Sequence, residues 1–200
     1  MKCIVYLHGF RSSPQSVKAR RFAHAITALP ASARPTLHIP ALPPDPDEAV
    51  TGVAAWIDRA LGAATRTSLT LVGSSLGGLY ATYLAERFGV RAVLINPAIV
   101  PYVDLRSFAG TQVNLYTGEA FEVTEAHFAA LRALVAGRIT QPERYFLLVR
   151  TGDELLDWRA AVERYAGACQ YVLGGGDHGW TDFDDEIPSV LRFAGIVEAR

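Results

Sequence analysis

Short apolar runs alternate along the chain with longer stretches in which apolar residues recur every three or four positions. The runs Cys3 to Leu7, Thr36 to Ile39, Leu69 to Gly73, Ala92 to Ile95, Tyr145 to Arg150 and Gln170 to Leu173 mostly lack apolar-polar alternation. They therefore predict strands covered on both faces. Between them, helical spacing predicts helices over Pro14 to Leu29, Asp45 to Leu61, Ser75 to Phe88, Thr124 to Ala136, Leu155 to Ala166 and Ile187 to Glu198. Start signals accompany several of these: Ser13 before Pro14, and Asp45, Pro46 and Glu48 as N-cap, first-turn proline and capping-box carboxylate. Pro30 closes the first helix, and Gly89 is placed to cap the third, whose apolar face is Leu76, Leu79, Tyr80, Tyr83, Leu84 and Phe88. Strands alternating with helices predict an α/β fold with a mostly parallel sheet of about six strands, covered by helices on both faces and joined by right-handed crossovers.

One interval breaks this rhythm. From Pro97 to Arg144 only one helix is predicted, preceded by irregular chain carrying Tyr102, Tyr116 and Phe121. Such a stretch reads either as a lid over a site, here 97–144, or as a plain insertion. With no internal repeat or domain linker, residues 1–200 are expected to form a single domain.

Composition narrows the functional classes. Half the residues are hydrophobic, and 19 basic residues nearly balance 20 acidic ones for a net charge of -1. No basic stripe is present, so neither nucleic acid nor an anionic membrane is an expected partner. The apolar run at Cys3 to Leu7 is too short for a signal-peptide core, and no stretch approaches membrane-spanning length. A cytoplasmic protein is expected. Cys3 and Cys169 both read as buried strand residues, and with no CxxC or His-rich spacing no metal is expected.

Candidate chemistry begins at Gly73-Ser74-Ser75-Leu76-Gly77. This is G-x-S-x-G between a predicted strand and a predicted helix, the context in which a sharp turn lifts a serine hydroxyl clear of the sheet. A phosphate-binding glycine turn is the competing reading, but no G-K-[ST] follows. If Ser75 is a nucleophile, it needs a base to take its proton. His24 and His127 fall in helices and His38 in a strand, where packing or surface roles are the default. His178 lies in Gly174-Gly175-Gly176-Asp177-His178-Gly179-Trp180, a loop directly after the last strand. Sites of α/β proteins assemble at such carboxyl ends, so His178 is the candidate base. A serine of this elbow type is followed in chain order by its acid and then its histidine. Asp153 follows the fifth main strand immediately and is the preferred acid, with Asp157 one helical turn further as the alternative. Negative charge developing on a carbonyl oxygen needs N–H donors, for which Leu76 and Phe10 are the candidates. His8 precedes the serine and is expected to hold its loop by hydrogen bonds.

Together, His8-Gly9-Phe10-Arg11-Ser12-Ser13-Pro14, Gly73 to Gly78, Ile95-Asn96-Pro97-Ala98, Tyr116-Thr117-Gly118-Glu119, Gly152-Asp153-Glu154 and Gly175 to His178 resemble the YqiA-like esterases, a bacterial branch of the α/β-hydrolase superfamily. The resemblance spans nearly the whole chain. It implies the α/β-hydrolase fold and a serine esterase without cofactor, acting on small-molecule carboxylic esters, with acyl thioesters such as acyl-coenzyme A as further candidates. It also implies a Ser75, Asp153 and His178 triad. By analogy with the superfamily the local strand order becomes 2-1-3-4-5-6. Cys3 and Cys169 then lie four strands apart, about 19 Å at ~4.8 Å per strand, beyond disulfide reach. One departure is Trp180, where similar sequences carry phenylalanine two residues after the histidine. With Tyr102, Tyr116 and Phe121 it is a candidate for the pocket wall. A serine peptidase or amidase, and a non-catalytic binding protein of the same fold, remain as alternatives, and the oligomeric state is not legible.

Overall fold

The computed structural model describes residues 2–100, 105–135 and 137–197. Its strands are β1 (Cys3–Leu7), β2 (Thr36–His38), β3 (Leu69–Ser74), β4 (Arg91–Ile95), β5 (Gly110–Val113), β6 (Ala120–Val123), β7 (Tyr145–Arg150) and β8 (Cys169–Leu173). Six of them form one sheet in the order β2-β1-β3-β4-β7-β8, every neighbouring pair parallel. This is the expected order 2-1-3-4-5-6, with β7 and β8 as its fifth and sixth strands. The helices of seven or more residues are α1 (Val17–Ala28), α2 (Pro46–Ala60), α3 (Leu76–Phe88), α4 (Glu125–Leu134), α5 (Trp158–Arg164) and α6 (Ile187–Phe193).

Alternate residues of each central strand enter opposite cores, as a period of two requires. Val5 and Leu7 of β1, Leu71 of β3, Leu94 of β4 and Leu147 of β7 pack with α2, α3, α4 and α5. Ile4, Tyr6, Val72, Val93, Ile95 and Phe146 face the other way, against Phe22 of α1 and Val190 and Leu191 of α6. Burying one large apolar side chain in this way contributes roughly 1.5–3 kcal/mol.

Local polar groups correct several predicted boundaries. Helix α1 begins after Ser16, whose hydroxyl accepts from the Ala19 N–H, while Ser13 closes a separate turn by accepting from Gln15 N–H. Asp157 caps α5 through the Arg159 N–H, so the residues from Leu155 to Asp157 are not helical. Helix α6 stops at Phe193, with Gly195 at φ 68. The predicted ends at Ala136 and Glu198 lie outside the described residues. The cap at Asp45 and the left-handed Gly89 after α3 are as predicted.

The interval after Pro97 holds the antiparallel hairpin β5-β6, which the apolar pattern did not reveal. Each strand has four residues and only partial burial, too little for period two to register. Asn114 Oδ1 shapes its turn by accepting from the N–H groups of Tyr116 and Thr117. The burial expected for Cys169 is also corrected: strand β8 is a sheet edge, and the thiol is exposed, whereas Cys3 is buried. Among the described residues no helix is long and apolar enough to cross a membrane. In the folded protein a colourimetric disulfide reagent should titrate one thiol rapidly, Cys169, and both only after denaturation. A native count of zero or two would contradict this arrangement.

Candidate active site

Because β1, β3, β4, β7 and β8 run parallel, the loops at their carboxyl ends share one edge of the sheet. Those loops carry Phe10, Ser75, Asn96, Asp153 and His178. Ser75 joins β3 to α3 at φ 56 and ψ -123, a backbone state that L-residues rarely adopt. Packing enforces it. A Cβ on Gly73 would meet the Gly77 carbonyl oxygen at 2.2 Å, and one on Gly77 would meet the Leu7 carbonyl oxygen at 2.1 Å. Only glycine lets strand, elbow and helix approach so closely.

His178 Nε2 lies 3.0 Å from Ser75 Oγ, and His178 Nδ1 lies 2.8 Å from Asp153 Oδ2. An ionised carboxylate only accepts, so the Asp153 contact assigns the imidazole proton to Nδ1 and leaves Nε2 to accept from the serine hydroxyl. The Asp153 side chain is 2% exposed. Burial pushes its carboxyl upward, but the His178 hydrogen bond and charge, with the N–H groups of Leu155 and Leu156, more than reverse this and hold it below the usual range. The structure brings Asp153, not Asp157, to the imidazole. Asp177 instead accepts from Trp180 N–H.

The His178 backbone is gripped at both ends. Its N–H donates to Glu154 Oε2 at 3.0 Å, and its carbonyl accepts from Lys18 Nζ at 3.1 Å and Asn96 Nδ2 at 3.3 Å. Asn96 also takes the Arg150 N–H on Oδ1 at 2.9 Å and reaches the Asp177 carbonyl, so it ties the ends of β4 and β7 to the histidine loop. Lys18 is partly exposed, in the first turn of α1. Burial lowers its ammonium to about 8 against the opposing pull of Asp153 and Asp177.

Leu76 opens α3, so its N–H belongs to the unsatisfied first turn of a helix. Phe10 lies in the loop after β1, directly before Arg11 at φ 54. Both border a cavity of about 340 Å³. The hairpin clasps this loop: Arg11 Nε donates to the Val113 carbonyl, Leu115 N–H to the Arg11 carbonyl and Asn114 Nδ2 to the Ser12 carbonyl, all at 2.8–2.9 Å. Phe108 and Phe121 add edge contacts to the Phe10 ring. His8 is buried and holds its loop, its ring contacting the Gly9 carbonyl and accepting from Leu42 N–H.

Phe121 borders the same cavity as Phe10 and Leu76. Tyr116, 46% exposed, borders a second one with Ser75 and His178. Trp180 does not reach the cleft. It is 1% exposed and packs on Phe183 with Arg150 over its ring, because φ 53 at this residue turns the indole inward. Tyr102 lies outside the described residues. His38 stacks on Trp56 and His127 caps α4, as packing roles predict. Asn96 and Lys18 were missed by sequence reasoning. The available signals were an asparagine closing a buried strand and a lysine in a first turn that lacks any acidic residue.

The profile of the uncharacterised protein family UPF0227 matches residues 3–195. Among solved structures the chain superposes on a protein of Agrobacterium vitis S4 with a TM-score of 0.72 at 20% identity, covering 98% of this chain and 88% of that one. It is similar to mouse alpha/beta hydrolase domain-containing protein 10, with a TM-score of 0.68, 16% identity and coverages of 95% and 89%. Paleococcus ferrophilus monoacylglycerol lipase gives a TM-score of 0.68 at 14% identity, covering 98% and 95%. These likenesses show the α/β-hydrolase fold.

Asn96→Ala strands buried groups around the histidine loop and should destabilise the protein by about 2 kcal/mol, lowering Tm by roughly 4–8 °C. An unchanged melting curve would deny Asn96 this role. For Asp153 the folded value lies below the unfolded one, about 3.9, so its ionised form stabilises the fold above that pH and the contribution is lost as pH falls through the folded value. Thermal melts should place wild type above Asp153→Asn at neutral pH, with the gap closing in acid. A gap that stays constant down the acid range counts against the linkage.

Proposed function

We propose that this chain, which belongs to the uncharacterised protein family UPF0227, is a serine hydrolase that cleaves carboxylic esters through an acyl-enzyme on Ser75. The observation that carries the reading is the continuous chain Asp153 Oδ2, His178 Nδ1, His178 Nε2, Ser75 Oγ at 2.8 and 3.0 Å, ending on a serine held at a strained turn. Nothing in a purely structural loop demands that convergence.

In the reaction, Ser75 Oγ attacks the ester carbonyl carbon while its proton passes to His178 Nε2. Asp153 keeps the imidazole in the required tautomer and stabilises the imidazolium. The carbonyl oxygen becomes an anion, which the N–H groups of Phe10 and Leu76 receive, each such donor supplying roughly 3 kcal/mol. The carbon-oxygen bond to the alcohol breaks, and His178 returns the proton to the leaving oxygen. Water, deprotonated by the same imidazole, then hydrolyses the acyl-serine. Acyl thioesters follow the same course with a thiol leaving. The β5-β6 hairpin, clasped to the loop of Phe10, acts in this scheme as a fixed wall supporting the oxyanion donors, and among the described residues of 97–144 only Asn114, Leu115, Tyr116, Glu119 and Phe121 of this hairpin border the cleft.

Hydrolysis of matched butyryl esters, thioesters and amides tests the reading and ranks the leaving groups. Ser75→Ala should lower ester kcat/KM by at least ~10³-fold, since linked catalytic groups fail as a unit. A fluorophosphonate should label wild type and not the variant. Ester turnover that survives Ser75→Ala would overturn the proposal.

A further inference from the structure

The cleft on the two sides of Ser75 differs in chemistry. One arm, about 340 Å³, is bordered by Phe10, Leu42, Leu76, Tyr80 and Phe121, and its two charged residues, Arg11 and Glu119, are of opposite sign. The second, about 260 Å³, takes in Ser75 and His178 together with Lys18, Ser16 and Tyr116, and shares Arg11 with the first. Among the described residues no aspartate or glutamate borders this second arm.

Lys18 stands there against local preference. The first turn of a helix carries partial positive charge, which favours a carboxylate and disfavours an ammonium. The first turn of α1 nevertheless holds no acidic residue and places this lysine beside the cavity instead. A local rule broken next to reacting atoms is the mark of a functional demand. One ammonium hydrogen is used on the His178 carbonyl. Asp153 and Asp177, which pull on its charge, do not border the cavity. Lys18 and the shared Arg11 therefore give this space positive charge with no carboxylate on its border, whereas Glu119 offsets Arg11 in the first arm.

The reaction direction decides what occupies each arm. The leaving oxygen must lie beside His178 Nε2 to receive its proton, and His178 borders the basic arm and not the apolar one. The acyl chain is left with the other arm, which Leu76 and Phe121 border. We infer that the basic arm is a subsite for an anionic leaving group, and that the enzyme selects esters of an apolar acyl chain with an alcohol or phenol bearing a carboxylate or phosphate close to the scissile oxygen, Lys18 being the charge that recognises it. The products are the carboxylic acid and the anionic alcohol, with one water consumed. The inference rests on the esterase reading.

The test uses butyryl esters of three phenols, 3-carboxyphenyl, 3-phosphonophenyl and the neutral 3-carbamoylphenyl, and reads the ratio of kcat/KM for each anionic ester to that of the neutral one. The two anionic arms distinguish a carboxylate from a phosphate-like group. Wild type should favour at least one anionic ester by tenfold or more. Lys18→Met should bring that ratio near one, and Lys18→Arg should keep part of it. The ratio cancels any loss common to both esters from the broken hydrogen bond to His178. A flat ratio in wild type, or a ratio unmoved by Lys18→Met, overturns the inference while leaving esterase activity standing. No turnover of any of the three, with no fluorophosphonate labelling of Ser75, removes the esterase reading itself and this inference with it.

Discussion

The backbone contact between the end of β1 and the start of α3 sets the geometry from which the rest follows. Gly77 approaches the Leu7 carbonyl so closely that a Cβ would lie 2.1 Å from its oxygen, and Gly73 is equally tight against Gly77. This approach forces the turn at Ser75 out of the regions that L-residues prefer and presses α3 onto β1. It also brings the loop that follows β1 beside the first turn of α3. The loop that carries Phe10 therefore lies against the serine, where a Cβ on Gly9 would sit 3.5 Å from Ser75 Oγ, although 65 positions separate Phe10 from Ser75.

Such a strained element persists only when its surroundings over-determine it. Here the elbow is tied by three backbone hydrogen bonds, since the Ser75 carbonyl accepts from Gly78 and Ala98 N–H and the Ser75 N–H donates to the Ile95 carbonyl. The histidine loop is restrained by a different device. Its glycines leave it without intrinsic rigidity, and Asn96, Glu154 and Lys18 supply side-chain hydrogen bonds to the backbone of His178. The loop after β1 has a third restraint, the hairpin, whose hydrogen bonds fall on Arg11 and Ser12 directly after Phe10. Ser75, His178 and the loop of Phe10 are thus each held by neighbours outside the Ser75-His178-Asp153 chain of contacts.

These restraints divide the cleft unevenly. The hairpin, with Phe121, closes an apolar side next to the N–H donors, while the first turn of α1 brings positive charge to the side of the imidazole.

Much of this was legible in the chain. Strands buried on both faces and amphipathic helices between them dictated a parallel α/β sheet, because each local period admits one element type and each element has one way to cover its apolar face. G-x-S-x-G marked the elbow, since those positions tolerate no side chain, and loop position after a strand distinguished His178 from His24, His38 and His127. Asp153 and Asp157 lie four positions apart, and only the packed loop shows which carboxylate faces the imidazole. The hairpin strands were too short and too exposed to print a period. Trp180 turned inward because of a left-handed backbone that no pattern announces, and Cys169 is exposed because its strand closes the sheet. Lys18 and Asn96 act on His178 across 160 and 82 positions. Local preference reports what a segment does by itself, whereas a side chain that holds another segment's carbonyl acquires that role only when the two meet.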